Sequence, residues 1–393
     1  MATFGRHMRE HWALDPAITY LNHGTVGAPP RRVLAAQQAI RDAIERQPSR
    51  YLLRELAAIR VGGPRSEPPR LRSAADAVAE FLGARGDDLV FVDNATAGVN
   101  AVLRSLDLRA GDEIVVTDHG YGAVNNVAAF VARAAGASVR TIALPYRVRD
   151  PRVVVEAYAA ALTPHTRAVI VDHITSETAL VLPAAEVVAL CRARGAAVLV
   201  DGAHAPGALA LDIPALGADW YVGNLHKWAY SPRSCGILWA PPARQAGLHP
   251  PVISWGLDQG FAAEFDWVGT RDPSPYLAAP EGIAFLCELG AEAVRAYNHD
   301  LAWEGARLLT RRWATELEID EATVGTMATA PLPARFGGDA EAAAGLRDRL
   351  LFEDRIEVQL HAAHGRLWVR ISAQVYNDLS DVERLAEAVL ARG

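Results

Sequence analysis

The sequence predicts an α/β protein with a mainly parallel central sheet, helices on both faces of that sheet, and a smaller α+β unit at the C-terminal end. Between about Asp88 and Ala240, short apolar runs alternate with segments of helical periodicity, which is typical of a parallel sheet covered by helices. Near the C-terminus, the alternation in RLWVRIS indicates a strand, and a helix is expected from about Ser380, a candidate N-cap. The predicted strands of the central sheet are DLVFVDN, EIVVTDH, SVRTIAL, RAVIVDH, AVLVDGA, ADWYVGN and CGILWA.

A chain of 393 residues is long enough for two or three domains. Pro29 and Pro30 stand where a long helical pattern begins, and a second helical pattern follows Pro273. Residues 60–72 are rich in Pro, Gly and Arg, which favours a surface loop. The predicted division is an N-terminal segment of residues 1–30, a large domain of residues 31–272 and a small C-terminal domain of residues 273–393.

Composition and charge exclude several classes of function. The formal net charge of -7 is spread without acidic tracts, so nucleic acid is not an expected partner. The sequence has neither an apolar signal segment nor eighteen uninterrupted apolar residues, so we expect a cytoplasmic protein that does not enter a membrane. Cys191, Cys235 and Cys287 are odd in number and lack metal-ligand spacing, so we expect packed cysteines rather than disulfides or a metal site.

Polar and small residues cluster directly after five of the predicted strands. In an open α/β sheet, ligands bind outside the carboxyl ends of the strands, at one crevice. The five clusters are therefore expected to lie around one site. They are Asn94–Thr96, Asp118–Tyr121, Asp172–Thr175, Asp201–His204 and Asn224–Lys227.

Asp201 and Lys227, in two of these clusters, look like the two anchors of pyridoxal phosphate (PLP). A lysine amine can form a Schiff base with the aldehyde of PLP, and a carboxylate opposite keeps the ring nitrogen protonated. Ala95 and Thr96 open a helix directly after a strand, where free N–H groups and the positive end of the helix dipole suit a phosphate. A plain N-cap is the alternative role for Thr96, and the two roles are compatible.

The ordered set of motifs resembles one known family over nearly the whole chain. The motifs are YLNHGTVGAPP, DNATAGVN, TDHGYGAVN, VDGAHAPG, GNLHKW, SWG, FDWVGTRD and WVRIS. Together they are similar to fold-type I PLP enzymes of the class V aminotransferase group, and within it to the isopenicillin N epimerase-like branch. That branch is related to cysteine desulfurases and C–S lyases. The resemblance implies the fold-type I architecture and PLP as cofactor.

The resemblance also implies roles around the cofactor. Lys227 would hold the aldehyde and later move the Cα proton, and Asp201 would pair with the pyridinium nitrogen. His204 would lie beside the ring, although a packed histidine is the alternative. Tyr121 would stack on the ring face opposite the lysine. The implied phosphate ligands are Ala95, Thr96, Asn224, His226 and, from the neighbouring subunit of a homodimer, Thr270.

On the substrate side, the resemblance implies that Arg370 binds the α-carboxylate of an amino acid. Strand alternation alone leaves its guanidinium either in solvent or in the cleft, and a planar fork suits a carboxylate in the cleft. Asn22 and His23 would border the substrate, as the contribution of the N-terminal segment to the active site. A turn role before Gly24 is the alternative for this pair.

The resemblance implies a class of reaction on α-amino acids, but it does not identify the amino acid. The resemblance implies a PLP enzyme that forms a Schiff base with an α-amino acid and removes its Cα proton, and epimerisation or racemisation is the first hypothesis. Cleavage of the Cβ–S bond of an S-substituted cysteine and transamination are alternatives, and a non-catalytic PLP-fold binding protein is a further one. A desulfurase that forms a protein persulfide is disfavoured because no cysteine follows Cys287.

Overall fold

The computed structural model describes residues 4–57 and 68–392. Its largest sheet has seven strands in the order β2-β8-β7-β6-β5-β3-β4. All seven apolar runs predicted as strands belong to this sheet. Its strands are β2 (Leu89–Val92), β3 (Glu113–Thr117), β4 (Ser138–Ile142), β5 (Thr166–Asp172), β6 (Ala197–Gly202), β7 (Trp220–Asn224) and β8 (Gly236–Trp239); outside it lie β1 (Thr19–Tyr20), β9 (Met327–Pro331), β10 (Ile356–Glu357), β11 (Gln359–Ala363) and β12 (Arg366–Ser372).

The large sheet is parallel except at β8, which pairs antiparallel with both β2 and β7. The parallel neighbours β3, β4, β5, β6 and β7 are in agreement with the predicted mainly parallel sheet. The connection between β7 and β8 is short. A parallel crossover needs a dozen or more residues, so a short connection favours an antiparallel return.

Helices cover both faces of this sheet, as the sequence predicts. Successive residues of β5 and β6 alternate between two buried clusters, because side chains of a strand point to opposite faces. Helices α4, α7 and α8 pack on one face, and α5 and α6 pack on the other. These helices are α4 (Arg70–Phe81), α5 (Ala95–Arg104), α6 (Gly122–Ala135), α7 (Arg152–Ala161) and α8 (Ala184–Ala193).

A second, three-stranded antiparallel sheet, of order β11-β12-β9, lies towards the C-terminus. Leu367, Val369 and Ile371 of β12 pack in one apolar cluster with the helices behind the sheet, and the alternate side chains of β12 face the other way. Strand β1 pairs with β10, which joins the N-terminal segment to this unit. The remaining helices are α1 (His23–Val26), α2 (Arg31–Arg46), α3 (Pro48–Arg50), α9 (Phe261–Asp266), α10 (Ser274–Leu277), α11 (Ala279–Glu288), α12 (Ala291–Trp313), α13 (Ala340–Phe352) and α14 (Leu379–Leu390).

Two details differ from the sequence-based expectations. The N-cap of the last helix is Asp378, not Ser380, because the Asp378 side chain accepts from the Ser380 N–H and forms a capping box with Asp381. Cys191 and Cys235 are buried as predicted, but Cys287 is exposed, so the prediction of a packed cysteine is wrong there. Its helix buries neighbouring side chains and leaves this position on the outer side.

Two further predictions concern segments rather than single residues. Of the predicted surface loop, residues 60–67 lie outside the described residues, and α4 already begins at Arg70. The two helices that follow Pro273 pack Tyr276 and Ile283 into the core of the large sheet. The division of the chain into three parts therefore stays a prediction. None of the helices in the described ranges is long and apolar enough to cross a membrane.

Candidate functional site

The carboxyl ends of the large sheet open into a cavity of about 1180 Å³. Its lining includes members of all five polar clusters that were expected to meet there. The small sheet and the N-terminal segment close the opposite side through Arg370, Gly24 and Thr25. The predicted site residues in the lining are Ala95, Thr96, Tyr121, Asp201, His204, Asn224, His226, Lys227 and Arg370, whereas Asn22, His23 and Thr270 lie outside it.

Lys227 follows β7 and is buried in this cavity. Its Nζ lies 2.9 Å from Nε2 of His204. Burial, together with the nearby charge of Arg370, lowers the pKa of the Lys227 amine to about 7, while Asp201 opposes the shift. Lys227 is also the only lysine in the sequence. The burial of Lys227 excludes a surface lysine. Near neutral pH, a large fraction of its amine is unprotonated and nucleophilic.

Asp201 ends β6 directly opposite Asp172 of β5 in the parallel register. Both carboxyl groups are buried in the cavity lining, and Asp201 Oδ1 accepts from the Ala203 N–H at 2.9 Å. Burial raises the pKa of Asp201, and burial together with the charge of Asp201 raises the pKa of Asp172. Two carboxyl groups so close in a water-poor site favour a single negative charge between them, which a cationic ligand would stabilise.

His204 is buried within a short turn after Asp201. Its Nδ1 has no hydrogen-bond partner among the described residues, and its pKa lies well below the ordinary value because of burial and the neighbouring Lys227. A buried polar atom without a partner costs free energy unless a ligand or water satisfies it. Nδ1 of His204 is thus available for a hydrogen bond with a polar atom of a bound group.

Helix α5 begins at Ala95, as predicted, and its first turn lines the cavity. Asn94 is the N-cap, since its Oδ1 accepts from the Ala97 N–H at 2.9 Å. Thr96 is therefore not the cap. The Ala95 N–H donates to Oδ1 of Asn224 at 2.8 Å, so Asn224 holds the start of this helix against the end of β7.

His226 and Tyr121 complete this side of the cavity. Nδ1 of His226 lies 2.9 Å from the Cys235 carbonyl, and because a carbonyl only accepts, Nδ1 carries the proton and Nε2 does not. Burial lowers the pKa of His226 to about 4. Tyr121 is 48% exposed, so its ring has free area on the cavity side that a flat ligand could cover.

Arg370 is buried on β12, with its guanidinium in the cavity lining. Nη1 donates to the Ser176 carbonyl, and Nη2 donates to Oγ1 of Thr25 at 2.7 Å. Nε has no partner among the described residues. Burial lowers the pKa of this group to about 10, which leaves it charged at neutral pH. The cleft orientation is the observed one, and an unpaired buried donor is available for a carboxylate.

Asn22 and His23 stand one layer behind the cavity. Asn22 Oδ1 accepts from the Thr25 hydroxyl at 2.5 Å, and Thr25 accepts in turn from Arg370. His23 is buried and lies 2.9 Å from the Lys227 carbonyl. The structure thus brings both residues to the site as supports of Arg370 and Lys227, rather than as part of its lining.

Thr270 is exposed and lies away from the cavity of its own chain. Its neighbour Arg271 donates to Asp93 at 3.1 Å, and Asp93 directly precedes the N-cap of α5. The block that contains Thr270 is therefore tied to the start of this helix from outside the cavity.

Several lining residues were not among the predicted ones. Asp172 and His119 belong to strand-end clusters that the sequence identified, so position after a strand was their signal. Tyr146, Glu177 and His364 line the opening between the large and small sheets. They belong to no motif, and only the packing of distant segments brings them together.

Comparison with known proteins shows the family and the fold of this chain. The chain belongs to the class V aminotransferase family, and the match to this family covers residues 69–329. It is 35% identical to isopenicillin N epimerase from Streptomyces clavuligerus over 97% of this chain and 96% of that protein. It is 31% identical to a probable chloroplastic L-cysteine desulfhydrase from Arabidopsis thaliana over 95% of this chain and 83% of that protein.

A solved structure of a C-DES mutant with glycine covalently linked to its PLP cofactor has the same fold. The TM-score is 0.77, with 22% sequence identity over 97% of this chain and 98% of that chain. The predicted fold-type I architecture is confirmed by this likeness.

Proposed function

We propose that this protein is a PLP-dependent enzyme that acts on an α-amino acid by removing its Cα proton, and that it is an epimerase like isopenicillin N epimerase. The observation that carries the proposal is the only lysine of the chain, Lys227, buried in one cavity with Asp201 and Arg370. The similarity to isopenicillin N epimerase over nearly the full length supports the choice of reaction.

The residues of the cavity fit PLP. The pyridine nitrogen would meet the buried carboxyl group of Asp201, which shares the site with Asp172. A polar atom of the ring would satisfy Nδ1 of His204. Tyr121 offers an exposed ring to stack on. The donor set therefore suits a flat ring that is cationic at one end and polar along one edge.

The phosphate of PLP fits the first turn of α5. Thr96 lies there, and a helix N-terminus of this length attracts a dianion. Asn224 keeps one amide N–H pair for a ligand while its oxygen holds Ala95. A phosphate beside His226 would favour protonation of the ring, because an adjacent negative charge raises the pKa of a histidine. His226 could then donate to the phosphate from Nε2.

When bound, PLP supplies an electron sink for negative charge that develops at Cα. Lys227 would hold the aldehyde carbon and, once free, would carry the Cα proton on Nζ. Its lowered pKa matches this task, since an amine that titrates near neutral pH can both accept and donate a proton. Asp201 would keep the ring nitrogen protonated, and Arg370 would orient the substrate through its α-carboxylate.

Cleavage of the Cβ–S bond of a cysteine derivative is the second candidate. The similarity to the probable L-cysteine desulfhydrase of Arabidopsis thaliana favours it, at 31% identity. Both reactions begin by removing the Cα proton, so the same lysine, aspartate and arginine serve either one. Cys191 and Cys235 are buried in the core, and Cys287 is not part of the cavity lining, so neither candidate uses a protein persulfide.

The proposal includes a cytoplasmic homodimer in which Thr270 serves the phosphate of the neighbouring subunit. Exposure of Thr270 outside its own cavity is consistent with this role. Free, unpaired cysteines suit a reducing compartment. Light scattering tests the assembly: a dimer is expected, and an active monomer would contradict the shared site.

The test of the reaction uses purified protein loaded with PLP in deuterated water, with a panel of D- and L-amino acids and S-substituted cysteines. Epimerisation predicts solvent deuterium at Cα, loss of chirality and no pyruvate. The lyase predicts pyruvate and ammonia in equal amounts. A transaminase would instead convert the cofactor to its amine form. An absorbance spectrum that no amino acid in the panel changes would contradict the proposed function.

A further inference from the structure

A short N-terminal segment, residues 22–27, is packed against the backbone of the cofactor lysine. A Cβ built on Gly27 would lie 1.8 Å from the carbonyl oxygen of His226 and 3.1 Å from Cα of Lys227. A Cβ on Gly24 would lie 2.5 Å from Sδ of Met327 in the small sheet. The segment is therefore wedged between the turn that carries Lys227 and the small sheet, with no room for larger side chains at these two positions.

The hydrogen bonds of His23 define its tautomer. Nε2 lies 2.9 Å from the carbonyl oxygen of Lys227, and Nδ1 lies 2.8 Å from the hydroxyl of Tyr376. A carbonyl oxygen can only accept, so Nε2 carries the proton and Nδ1 accepts from the tyrosine. Burial, with a smaller effect from the charges of Arg233 and Lys227, lowers the pKa of His23 to about 4, while the hydrogen bond to the Lys227 backbone opposes the shift. The ring is neutral, with one donor and one acceptor, both used.

We infer that His23 is a positioning residue for Lys227: its Nε2–H fixes the backbone of the cofactor lysine, and Tyr376 fixes the tautomer that makes this bond possible. The inference assigns a new role within the proposed function and rests on it. Lys227 lies in a turn after β7, where no described backbone N–H donates to its carbonyl. His23 thus supplies a hydrogen bond that a helix or strand would otherwise provide, and a buried carbonyl left without one is costly.

The same four-residue helix also holds the substrate-side arginine. Thr25 accepts from Nη2 of Arg370 and donates to Asn22, and Asn22 donates to Glu357 at 2.8 Å. Two residues of α1 therefore act on two different groups, His23 on the lysine and Thr25 on the arginine. This separation yields a specific expectation. Loss of the His23 bond should act directly on the amine of Lys227, whereas loss of the Thr25 hydroxyl should act on Arg370 and weaken substrate binding.

The experiment exploits the single lysine of the chain. Protein labelled with ¹³C at lysine Cε gives one side-chain NMR signal, and its pH titration reports the pKa of Lys227 without any cofactor. The variants are His23→Leu, which keeps apolar volume, His23→Gln, whose amide can donate and accept like the imidazole, and Tyr376→Phe. The matched control is His299→Leu. His299 also lies near a backbone carbonyl, that of Val324 at 3.1 Å, but it is remote from the cavity lining.

In His23→Leu, a loosened turn should expose the amine, so its titration midpoint should rise from about 7 towards 10.5, by about one pH unit or more. His23→Gln should stay close to the parent and Tyr376→Phe should lie between the two. The His299→Leu control should leave the midpoint unchanged. PLP affinity, measured by absorbance titration, should fall in the same order, by about tenfold for His23→Leu.

Several results would overturn the inference. A folded His23→Leu protein with the parent midpoint and parent PLP affinity would do so. Equal shifts in the Leu and Gln variants would reduce His23 to a packing residue, and so would an equal shift in the His299 control. If His23→Leu fails to fold, Tyr376→Phe and His23→Gln decide on the same signal. Failure of the parent protein to bind PLP would count against the proposed function alone, because the NMR titration needs no cofactor.

Discussion

The two walls of the cavity are built in different ways. On the large-sheet wall, Asp201 and Lys227 come directly after parallel strands, so one topological rule brings them together. On the small-sheet wall, Arg370 meets Thr25 of the N-terminal segment and the Ser176 carbonyl after β5 only because segments far apart in the sequence pack against each other. The first wall carries the groups that fit PLP, and the second carries the group that fits the substrate. The groups that fit PLP can therefore be recognised from local sequence, as residues that follow strands. The group that fits the substrate depends on packing between distant segments.

On the large-sheet wall, the largest loss of activity is expected from Asp201→Asn. The amide cannot stabilise a protonated ring nitrogen by charge, so turnover should fall by about 10²–10³-fold, the scale of one lost electrostatic contact in a water-poor site. Protein folding should be kept, because the amide preserves the shape and the bond from Ala203. Steady-state kinetics with the best substrate of the panel gives the measurement. Turnover within a few-fold of the parent would refute this role.

The small-sheet wall is tested by Arg370→Lys. The ammonium lacks the planar fork and cannot replace both the bonds to Thr25 and Ser176 and the donor for a carboxylate. Loss of a hydrogen bond to a charged group costs about 1.5–3 kcal/mol, so KM should rise by about 10–100-fold, while the visible spectrum of the loaded protein stays unchanged. If KM is unaltered for every accepted amino acid, the carboxylate is bound elsewhere.

The same contrast explains what the sequence could predict. All seven strands of the large sheet were identified because each is a short run rich in apolar residues that alternates along the chain with segments of helical periodicity. The meeting of the cofactor-side residues in one cavity followed from their positions after these strands, whereas their roles toward PLP were implied by the family resemblance. Tyr146 and Glu177 could not be identified in this way, because they enter the lining through loops that no periodicity describes.

For other residues, the sequence identified the segment but not the contacts that each side chain makes. Asn22 and His23 were recognised in a motif, but a motif does not reveal whether a side chain faces the substrate or stands behind a residue that does. Ser380 was preferred as N-cap although Asp378, two residues earlier, makes the capping bond. Lys227 shows the opposite case: as the only lysine in the chain, it stands out in the sequence without any structure.

A smaller effect, on the rate of cofactor loading, follows from the pKa of Lys227. The protonated amine has no lone pair for the aldehyde, so PLP loading of the apo protein should rise as the pH increases through about 7 and level off above it. Below that midpoint, the rate should fall about tenfold per pH unit. Because Arg370 lowers the pKa of Lys227, Arg370→Gln should move the midpoint upwards. Stopped-flow absorbance across pH 5–9 gives the profile, and a flat profile would contradict the assignment.

The smallest effect is expected for the cysteines, which belong to neither wall. Cys287→Ser changes an exposed side chain and should alter the free energy of unfolding by less than about 0.5 kcal/mol. Cys191→Ala and Cys235→Ala truncate buried side chains and should each cost about 1 kcal/mol or more. Turnover per PLP-loaded subunit should match the parent in all three variants. A persulfide that accumulates on one of the three cysteines of the parent protein during turnover with L-cysteine would restore the desulfurase mechanism.

The central claim is that the single buried lysine holds PLP, and borohydride reduction tests it most directly. After loading and reduction, peptide mass spectrometry should find one phosphopyridoxyl group per chain, on the peptide that contains Lys227, because the only other amine of the chain is its α-amino terminus. Lys227→Ala should carry no such group while keeping the thermal stability of a folded protein. Absence of a reducible adduct in the parent, or an adduct of equal yield in Lys227→Ala, would contradict the account.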